Sequence, residues 1–286
     1  MQVPTFWLHT ALIHRTRRTR RIVLIIQAVK NWARIIPRNH TWQNPRPFYF
    51  MKQTVIVVLP AYNCEKTLKL TLSEIPRHIV DEIILVDDCS NDNTVDLAKK
   101  LGLKYVFAHN TNRGYGANQK TCYDNALALG ADIIIMLHPD YQYDPKLITE
   151  IISKFNTGSK IVFASRLQKG IEAIKLGMPI YKFLSNRILT IFQNFCLKQK
   201  LSEYHTGYRA FASEVLRSID YHYFSDDFIF DNQIAIATIE KGYRIDEIYC
   251  PAKYEENSSS INFSRSLRYG IGVVFYSLKH FVKRTK

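Results

Sequence analysis

The sequence predicts an α/β protein whose mostly parallel sheet is covered by helices on both faces. From residue 51 onward, short apolar runs alternate with longer stretches that carry apolar residues at helical spacing. The runs are almost continuously apolar, which is typical of strands buried on both faces of a sheet. Since parallel strands need a crossover connection, regular alternation of strand and helix favours parallel pairing.

Five strands and four helices are predicted in this alternating part of the chain. Each strand is an apolar run bounded by charged or turn-forming residues. Gly102 and Gly130 each follow a helical stretch, where glycine commonly ends a helix. The predicted strands are 54–59, 82–86, 105–108, 132–136 and 160–164, and the predicted helices are 65–74, 94–101, 117–129 and 146–155.

The alternation changes after Arg166. Residues 171–201 are largely apolar, and Lys182 and Arg187 fall between apolar residues that recur at helical spacing. This pattern predicts an amphipathic helix, which packs either against the core or on a membrane surface. The segment 267–286 is apolar and ends in KRTK, so a second amphipathic helix is predicted there, and it favours the membrane alternative.

The positive charge is concentrated in the first 50 residues. They contain nine Lys or Arg residues and no Asp or Glu, which leaves +5 of the formal charge of +14 to the rest of the chain. We interpret residues 1–50 as a basic extension, either an over-extended start-site assignment or an arm that lies on an anionic membrane. Because the charge belongs to this segment, we predict no nucleic-acid partner, although an adaptor acting through the arm is an alternative.

Cysteine usage and hydropathy indicate the compartment. Five cysteines are scattered singly and form no C-x-x-C pair. Such a set is typical of a reducing compartment and argues against a disulfide framework or a structural zinc site. No apolar run reaches the roughly 18 to 20 residues that a spanning helix needs. We therefore expect a cytoplasmic protein that contacts the inner face of a membrane peripherally.

Polar side chains follow three of the predicted strands at the point where each strand ends. The segment PAYN (60–63) ends the first strand, Asp87 and Asp88 end the second, and Asp140 and Gln142 follow the fourth. Because the carboxyl ends of parallel strands meet at one edge of a sheet, these groups are expected to share a ligand site. Asp140 and Gln142 offer oxygen ligands that suit a hard divalent cation such as Mg²⁺ or Mn²⁺.

Two further features concern the predicted ligand site at the carboxyl ends of the strands. The segment NRGYGANQK (112–120) is glycine-rich and cationic ahead of a helix, which suits a neighbouring phosphate group. Neither G-x-G-x-x-G after the first strand nor G-x-x-x-x-G-K-[ST] occurs, which excludes the dinucleotide-binding and P-loop classes. As an alternative to a cation site, Asp144 caps the next helix and the strand end has no ligand.

Six motifs in order resemble those of the family 2 nucleotide-sugar glycosyltransferases of the GT-A fold: PAYN, VDDCSNDNT, NRGYGAN, HPDYQYDP, HTGYRAF and GYRIDEI. Within this family the chain is most similar to the dolichyl- or polyprenyl-phosphate sugar synthases. The resemblance covers residues 54–266 and implies a transferase domain over residues 51–266. It also implies an inverting hexosyltransferase, dependent on Mg²⁺ or Mn²⁺, that uses a UDP- or GDP-sugar and a polyprenyl-phosphate or glycan acceptor.

The resemblance implies roles for residues at the strand ends. Those implied in binding the base and ribose are Pro60, Ala61, Tyr62, Asn63, Glu65, Asp87 and Asp88, and Arg209 is implied near the donor diphosphate or the acceptor phosphate. On physical grounds, Arg166, Arg209 or Lys120 would stabilise the negative charge that develops on the leaving diphosphate. The family's Asp-x-Asp metal motif falls on His138-Pro139-Asp140, so Asp140 and Gln142 are the implied oxygen ligands and His138 replaces the first acid. A neutral imidazole can ligate Mn²⁺, but the site loses one negative charge. A nucleotide-sugar-binding protein without turnover is therefore an alternative.

Asp231 stands where many inverting members of the family place the base that deprotonates an acceptor hydroxyl. Its alternative role is to cap the helix that follows, and Asp226 and Asp227 are alternative bases nearby. Gln233 occupies a position where Glu is usual. A lipid phosphate needs no base because its oxygen is already anionic, so Asp231 argues slightly against a lipid-phosphate acceptor.

Overall fold

The computed structural model describes residues 52–251, residue 254 and residues 263–285. Seven strands lie within them: β1 Val55–Ala61, β2 Glu82–Asp87, β3 Tyr105–Ala108, β4 Ile133–Met136, β5 Ile161–Ser165, β6 Arg209–Ala212 and β7 Asp246–Tyr249. They form one sheet in the order β3-β2-β1-β4-β6-β5-β7. The predicted basic extension, residues 1–50, lies outside the described residues.

Nine helices accompany the sheet in the described part of the chain. They are α1 Glu65–Glu74, α2 Thr94–Lys100, α3 Tyr115–Ala128, α4 Ile148–Asn156, α5 Glu172–Lys175, α6 Ile180–Leu197, α7 Ser213–Ser218, α8 Phe230–Glu240 and α9 Phe263–Thr285. α1 has the predicted bounds. α3 begins two residues earlier than predicted, directly after Gly114, whose φ of 100° ends the preceding loop in a conformation that favours glycine.

The sheet is mostly parallel, as predicted. β1 pairs in parallel with β2 and β4, β2 with β3, and β5 with β7. Every residue of β1 is buried, and since successive side chains of a strand point to opposite faces, both faces of the sheet are covered at its centre. Ala61 pairs with Asp87 and Val58 with Met136, so β1, β2 and β4 end at the same edge.

β6 is inserted antiparallel between β4 and β5. Neither β6 nor β7 was predicted from the sequence. β6 begins with the charged residue Arg209, and β7 begins with Asp246 and Glu247, so neither strand shows a continuous apolar run. Arg209 pairs with Met136 at the end of β4. In an antiparallel pair, the residues that precede Arg209 therefore lie beside those that follow Met136, which brings Gly207 next to His138.

The amphipathic stretch predicted over residues 171–201 contains α5 and α6, which are separated at Gly177, where φ is 99°. α9 packs against α6 and α8. The Phe195 ring of α6 stacks on the Phe281 ring of α9, with 5.7 Å between their centroids. The C-terminal helix begins earlier than predicted, at Phe263 rather than at residue 267. None of the helices in the described residues has the length and apolar character that a bilayer-spanning segment needs.

α6 and α9 each expose one line of apolar side chains, which we call the apolar stripes. The members are Ile180, Leu184, Ile188, Ile191 and Phe195 on α6, and Leu267, Ile271, Phe275, Leu278 and Val282 on α9, each at least 44% exposed. Both lines advance by four, four, three and four residues, which places each line on one face of its helix. Large exposed apolar surface of this kind marks a site of interaction with a partner or a membrane.

Candidate functional site

A cavity of about 1590 Å³ lies at the edge where β1 and β4 end. Its walls include the segments 60–64, 112–115 and 138–140, which follow or precede the central strands. It continues along α6 and α9, where Ile188 and Ile271 of the apolar stripes line it. The strand ends that the sequence analysis grouped together therefore share one cavity, and this cavity leads to the two amphipathic helices.

Pro60, Ala61, Tyr62 and Asn63, the residues predicted to cup the nucleotide, line the cavity. Asn63 has a φ of 51°, and its Oδ1 accepts a hydrogen bond of 2.8 Å from the backbone N–H of Asn91. This turn leaves the Tyr62 ring half exposed at the wall, where a flat base could stack on it.

Glu65, which was predicted to bind the same nucleotide, lies outside the cavity lining. Its carboxylate accepts hydrogen bonds from the backbone N–H of Asn93 at 3.1 Å and from Asn93 Nδ2 at 3.0 Å. Glu65 therefore holds the loop after β2 against the start of α1.

The two acids after β2 organise loops. Asp87 is buried, and its carboxylate accepts hydrogen bonds from the backbone N–H and the hydroxyl of Ser90. The Asp88 carboxylate, at the cavity wall, accepts 2.8 Å hydrogen bonds from the backbone N–H groups of Arg113 and Gly114 and contacts His109 Nδ1 at 2.8 Å. Asp88 thus shapes the glycine-rich segment predicted to lie near a phosphate.

Lys120, predicted to stabilise the diphosphate, lies behind the glycine-rich segment rather than in the cavity wall. Its Nζ donates to the carbonyl oxygens of His222 and Phe224 and pairs with Asp226 at 2.7 Å. The carbonyl of Asp226 in turn accepts a 2.7 Å hydrogen bond from the N–H of Gly116. Lys120 therefore secures the loop that packs on the first turn of α3.

His138, Asp140 and Gln142, the predicted metal ligands, all line the cavity. Among the described residues, no three His, Cys, Asp or Glu side chains are grouped so that they could hold a metal ion by themselves. One carboxylate, one amide and one imidazole instead suit a divalent ion that completes its coordination with phosphate oxygens of a ligand. The donor set fits a metal held jointly with a nucleotide. The Asp144 carboxylate caps the next turn through the N–H of Lys146 at 2.9 Å.

Burial favours the neutral form of the His138 ring. Burial lowers its pKa, and the carboxylates of Asp140 and Asp231 oppose this shift only in part. The ring stacks on Tyr115 with 5.4 Å between centroids and an angle of 22° between planes. A Cβ at Gly207 would lie 2.6 Å from His138 Nε2, so glycine is needed at this position for the ring to fit.

We expect Gly207→Ala to displace the His138 ring and to destabilise the fold by about 1 to 3 kcal/mol, because overpacking a buried contact has effects of this size. Urea unfolding measures the loss. The matched control is Gly270→Ala on α9, where an added Cβ meets no atom within 4 Å. Equal stability of the two variants would contradict the contact between Gly207 and His138.

Asp231, the predicted base, lies in the first turn of α8 and lines the cavity. The N-cap of α8 is Ile229, and the Asp231 side chain makes no capping bond, so the capping alternative is wrong. Its Oδ2 accepts a 2.8 Å hydrogen bond from the Tyr115 hydroxyl, and its Oδ1 accepts a 3.0 Å hydrogen bond from Gln119 Nε2. Both carboxylate oxygens are thus already hydrogen-bonded within the protein.

Arg209, predicted at the diphosphate, is fully buried behind Asp231 and lies outside the cavity lining. Its guanidinium donates to the carbonyl oxygens of Tyr204, Thr206 and Asp231, and Nη1 lies 3.9 Å from Asp231 Oδ1. The guanidinium also lies over the Phe163 ring, 4.5 Å from its centroid. Arg209 therefore fixes the start of α8 and compensates the charge of Asp231.

Arg166, also predicted at the diphosphate, does line the cavity. Its guanidinium pairs with the buried Glu203 carboxylate and donates to the Tyr254 hydroxyl at 3.2 Å and the His205 carbonyl at 2.9 Å. Burial opposes the charged form of Arg166, but the Glu203 carboxylate outweighs it and raises its pKa. Arg166 is therefore a fixed cation in the wall that an anionic ligand would meet.

Four residues of the site or its support were not predicted from the sequence: Tyr115, Gln119, Glu203 and Lys182. Lys182 lines the cavity from α6, and Tyr115 lines it from α3. Tyr115 stands between two glycines of the quoted NRGYGAN motif, which was the available signal for it. Gln119 belongs to the segment NRGYGANQK, but its partner Asp231 lies 112 positions away in sequence. Glu203 gave no signal, and its partner Arg166 lies 37 positions away.

Several known proteins are similar to this chain in sequence. A family model described as Glycosyl transferase family 2 matches residues 56–220. A UDP-N-acetylglucosamine–dolichyl-phosphate N-acetylglucosaminyltransferase of Methanococcus voltae is 28% identical over 180 residues, which cover 57% of this chain and 71% of that protein. A polyprenol monophosphomannose synthase of Mycolicibacterium smegmatis is 23% identical over 73% of this chain and 80% of that protein.

Solved structures match at the level of the fold. The glucosyl-3-phosphoglycerate synthase of Mycobacterium tuberculosis, in complex with Mn²⁺ and UDP-glucose, aligns with a TM-score of 0.59 and 18% identity. The alignment covers 80% of this chain and 79% of that one. The predicted GT-A fold, a mostly parallel α/β sheet with additional amphipathic helices towards the C-terminus, is confirmed.

Proposed function

The chain belongs to glycosyl transferase family 2, and from this premise we propose that it transfers a hexosyl group, with inversion, from a nucleotide diphosphate sugar to a polyprenyl phosphate at a membrane surface. The donor is a UDP- or GDP-sugar, and a Mg²⁺ or Mn²⁺ ion accompanies its diphosphate. Contact with the membrane is peripheral, at its cytoplasmic face. The five cysteines, all free in the described residues, are consistent with that reducing compartment.

One observation carries the acceptor assignment. The cavity runs without interruption from the strand ends to α6 and α9, so that Asp140 and Ile271 line the same space. A lipid phosphate has the matching form, with an anionic end for the polar part of the cavity and an apolar chain for the helices. The apolar stripes beside the cavity offer a surface to the hydrocarbon of the bilayer.

Basic residues support the membrane contact. Arg268, Lys279 and Lys283 belong to α9, and Lys182 and Arg187 belong to α6. Helices with an apolar face and Lys or Arg beside it bind to anionic lipid surfaces, and each basic residue near such a surface contributes about 1 kcal/mol. Bilayer contact would place the open end of the cavity where a membrane-bound acceptor can enter.

The residues at the strand ends support a donor site. The segment 60–63 would contact the base and ribose, with Tyr62 as the exposed ring. Asp140, Gln142 and His138 would hold a divalent ion, which when bound neutralises the charge that grows on the leaving diphosphate. Arg166, held by Glu203, would add a fixed positive charge to the same region. A single displacement of this kind inverts the anomeric centre.

The hydrogen bonds of Asp231 bear on the acceptor class. The two oxygens of Asp231 accept one hydrogen bond each, from Tyr115 and Gln119, and each oxygen keeps a further lone pair. Asp231 could therefore serve as the base for a hydroxyl acceptor. A phosphate acceptor is anionic at neutral pH and needs no base, so the contribution of Asp231 to the rate separates the two acceptor classes.

The direct test is an acceptor panel. The purified protein is incubated with radiolabelled UDP- and GDP-hexoses, Mn²⁺ or Mg²⁺, and one of three acceptors: polyprenyl phosphate, the matching polyprenol, or an oligosaccharide. We expect labelled lipid only with polyprenyl phosphate. Labelled oligosaccharide would support a glycan transferase without a membrane partner. Tight nucleotide binding with no product on any acceptor would support a binding protein that has lost turnover.

Asp231→Asn distinguishes the two acceptor classes. If the acceptor is a phosphate, as proposed, kcat should fall less than about tenfold, because no proton has to be removed. Loss of a general base would instead cost roughly 10² to 10⁴ in rate. The measurement is kcat with saturating lipid phosphate, and a loss of 10² or more would contradict the proposed acceptor.

A further inference from the structure

Tyr115 joins the metal-motif histidine to Asp231. Its hydroxyl lies 3.0 Å from Nε2 of His138 and 2.8 Å from Oδ2 of Asp231. We propose that Tyr115 is a positioning residue that holds His138 as the Nε2–H tautomer, so that Nδ1 offers a lone pair to a divalent cation beside Asp140 and favours a transition-metal ion over Mg²⁺. The inference rests on the proposed function, because this cation is the one that accompanies the donor diphosphate.

The direction of the two hydrogen bonds follows from the number of protons available. A phenol hydroxyl has one proton to donate. The Asp231 carboxylate also accepts from Gln119 at 3.0 Å and lies 3.9 Å from the Arg209 guanidinium, and an ionised carboxylate can only accept. Tyr115 therefore donates to Asp231. Its oxygen is left as the acceptor for His138, so the hydrogen of the imidazole is on Nε2.

The ring is fixed in this orientation by its neighbours. The Nε2 edge packs on Gly207, where an added Cβ would lie 2.6 Å from Nε2 and 2.7 Å from Cδ2, and one face stacks on Tyr115. Among the described residues, Nε2 is the only ring nitrogen of His138 with a hydrogen-bond partner. A neutral imidazole then carries its lone pair on Nδ1, and His138 lines the cavity together with Asp140.

A nitrogen ligand changes which ion the site prefers. Mg²⁺ favours oxygen ligands only, whereas imidazole nitrogen suits first-row transition-metal ions, with affinity rising from Mn²⁺ to Co²⁺. A hydrogen bond from the other ring nitrogen orients a histidine ligand and increases its basicity, and losing such a partner typically costs 10 to 100-fold in metal affinity. Tyr115 would supply this support through its oxygen, although it would not touch the metal itself.

Nitrogen NMR of the metal-free, full-length protein tests the tautomer directly. The protein is labelled with ¹⁵N-histidine, and the His138 signals are assigned by their absence from the spectrum of His138→Gln. We expect Nδ1 to show the shift of an unprotonated nitrogen and Nε2 that of a protonated one. The reverse assignment would overturn the inference. Because no metal, donor or acceptor is present, this result is independent of whether the proposed transfer reaction occurs.

Metal binding in the presence of UDP or GDP tests the consequence. Titrations of Mn²⁺, Co²⁺ and Mg²⁺ compare the wild type with Tyr115→Phe and His138→Asp. We expect Tyr115→Phe to weaken Mn²⁺ and Co²⁺ about tenfold and to leave Mg²⁺ within twofold. His138→Asp should reverse the preference toward Mg²⁺. Electron spin-echo modulation of bound Mn²⁺ should show a nitrogen ligand in the wild type that is absent from His138→Asp.

The outcomes separate the possible failures. Unchanged Mn²⁺ and Co²⁺ affinity in a folded Tyr115→Phe variant, checked by urea unfolding, would overturn the inference. If the wild type binds no nucleotide with any metal, the proposed function fails, and the NMR result still decides the tautomer. If Tyr115→Phe does not fold, the wild-type NMR assignment and the spin-echo comparison with His138→Asp decide instead.

Discussion

Replacing Asp140 with alanine is expected to lower sugar transfer roughly 10² to 10³-fold, the largest loss expected for any single substitution in this protein. Asp140 is the one carboxylate among the three predicted metal ligands, since the other two are His138 and Gln142. Without it, only uncharged ligands would hold the divalent ion that stabilises the leaving diphosphate. Initial rates with saturating lipid phosphate and varied Mn²⁺ measure the effect.

The control for Asp140→Ala is Asp144→Asn in the same loop. Asp144 caps the following turn through the N–H of Lys146, and asparagine preserves that cap. We expect wild-type rates from this variant. Calorimetric titration of UDP or GDP with and without Mn²⁺ provides a second readout, because the metal should strengthen nucleotide binding to the wild type but not to Asp140→Ala. Equal transfer rates in the Asp140 and Asp144 variants would exclude Asp140 as a metal ligand.

The grouping of polar residues at the carboxyl ends of the strands could be predicted from the sequence, because it depends on local patterns. Each of the first five strands contains a run of at least four apolar residues, and the polar residues that follow such runs have to meet wherever parallel strands end together. PAYN, Asp88, Asp140 and Gln142 accordingly share one cavity. The central strands of the sheet and the part of the cavity wall formed at their ends could therefore be predicted from the residues alone.

The roles of the basic residues could not be predicted in this way. Lys120, Arg166 and Arg209 look equivalent in the sequence, as cations near motifs that suit a diphosphate. In the structure only Arg166 lines the cavity, while Lys120 and Arg209 donate to backbone carbonyls behind it. The partners of a buried cation lie far away along the chain, and β6 was not predicted because its first residue, Arg209, is charged. Facing the cavity, and not burial, distinguishes Arg166 from Lys120, since both side chains are 11% exposed.

The surroundings of α6 and α9 could not be predicted from the sequence either. Helical spacing predicted that each would be amphipathic, but core packing and a membrane surface were equal alternatives for the first. Pairing of the two helices, seen in the stacking of Phe195 on Phe281, leaves both apolar stripes exposed along one cavity. The exposed area is a tertiary property, because it depends on which faces the two helices bury against each other.

Replacing Leu184 and Ile191 together with serine is expected to reduce binding to anionic vesicles by a factor of about 100 or more. The two side chains are 53% and 65% exposed, lie on one face of α6, and are outside the cavity lining. Burying one such side chain in an apolar phase contributes about 1.5 to 3 kcal/mol, and each 1.4 kcal/mol is a factor of ten in affinity. Sedimentation with vesicles of phosphatidylglycerol and phosphatidylcholine measures the partition.

The matched control is the double variant Leu70→Ser and Tyr223→Ser, whose side chains are 46% and 86% exposed and lie outside the apolar stripes. Its vesicle binding should equal that of the wild type. The stripe variant should also lose transfer to long-chain polyprenyl phosphate in vesicles while keeping its rate with a short-chain, water-soluble analogue, because its cavity is intact. Equal loss on both acceptors would place Leu184 and Ile191 in folding or catalysis, and unchanged vesicle binding would remove the membrane from the proposed function.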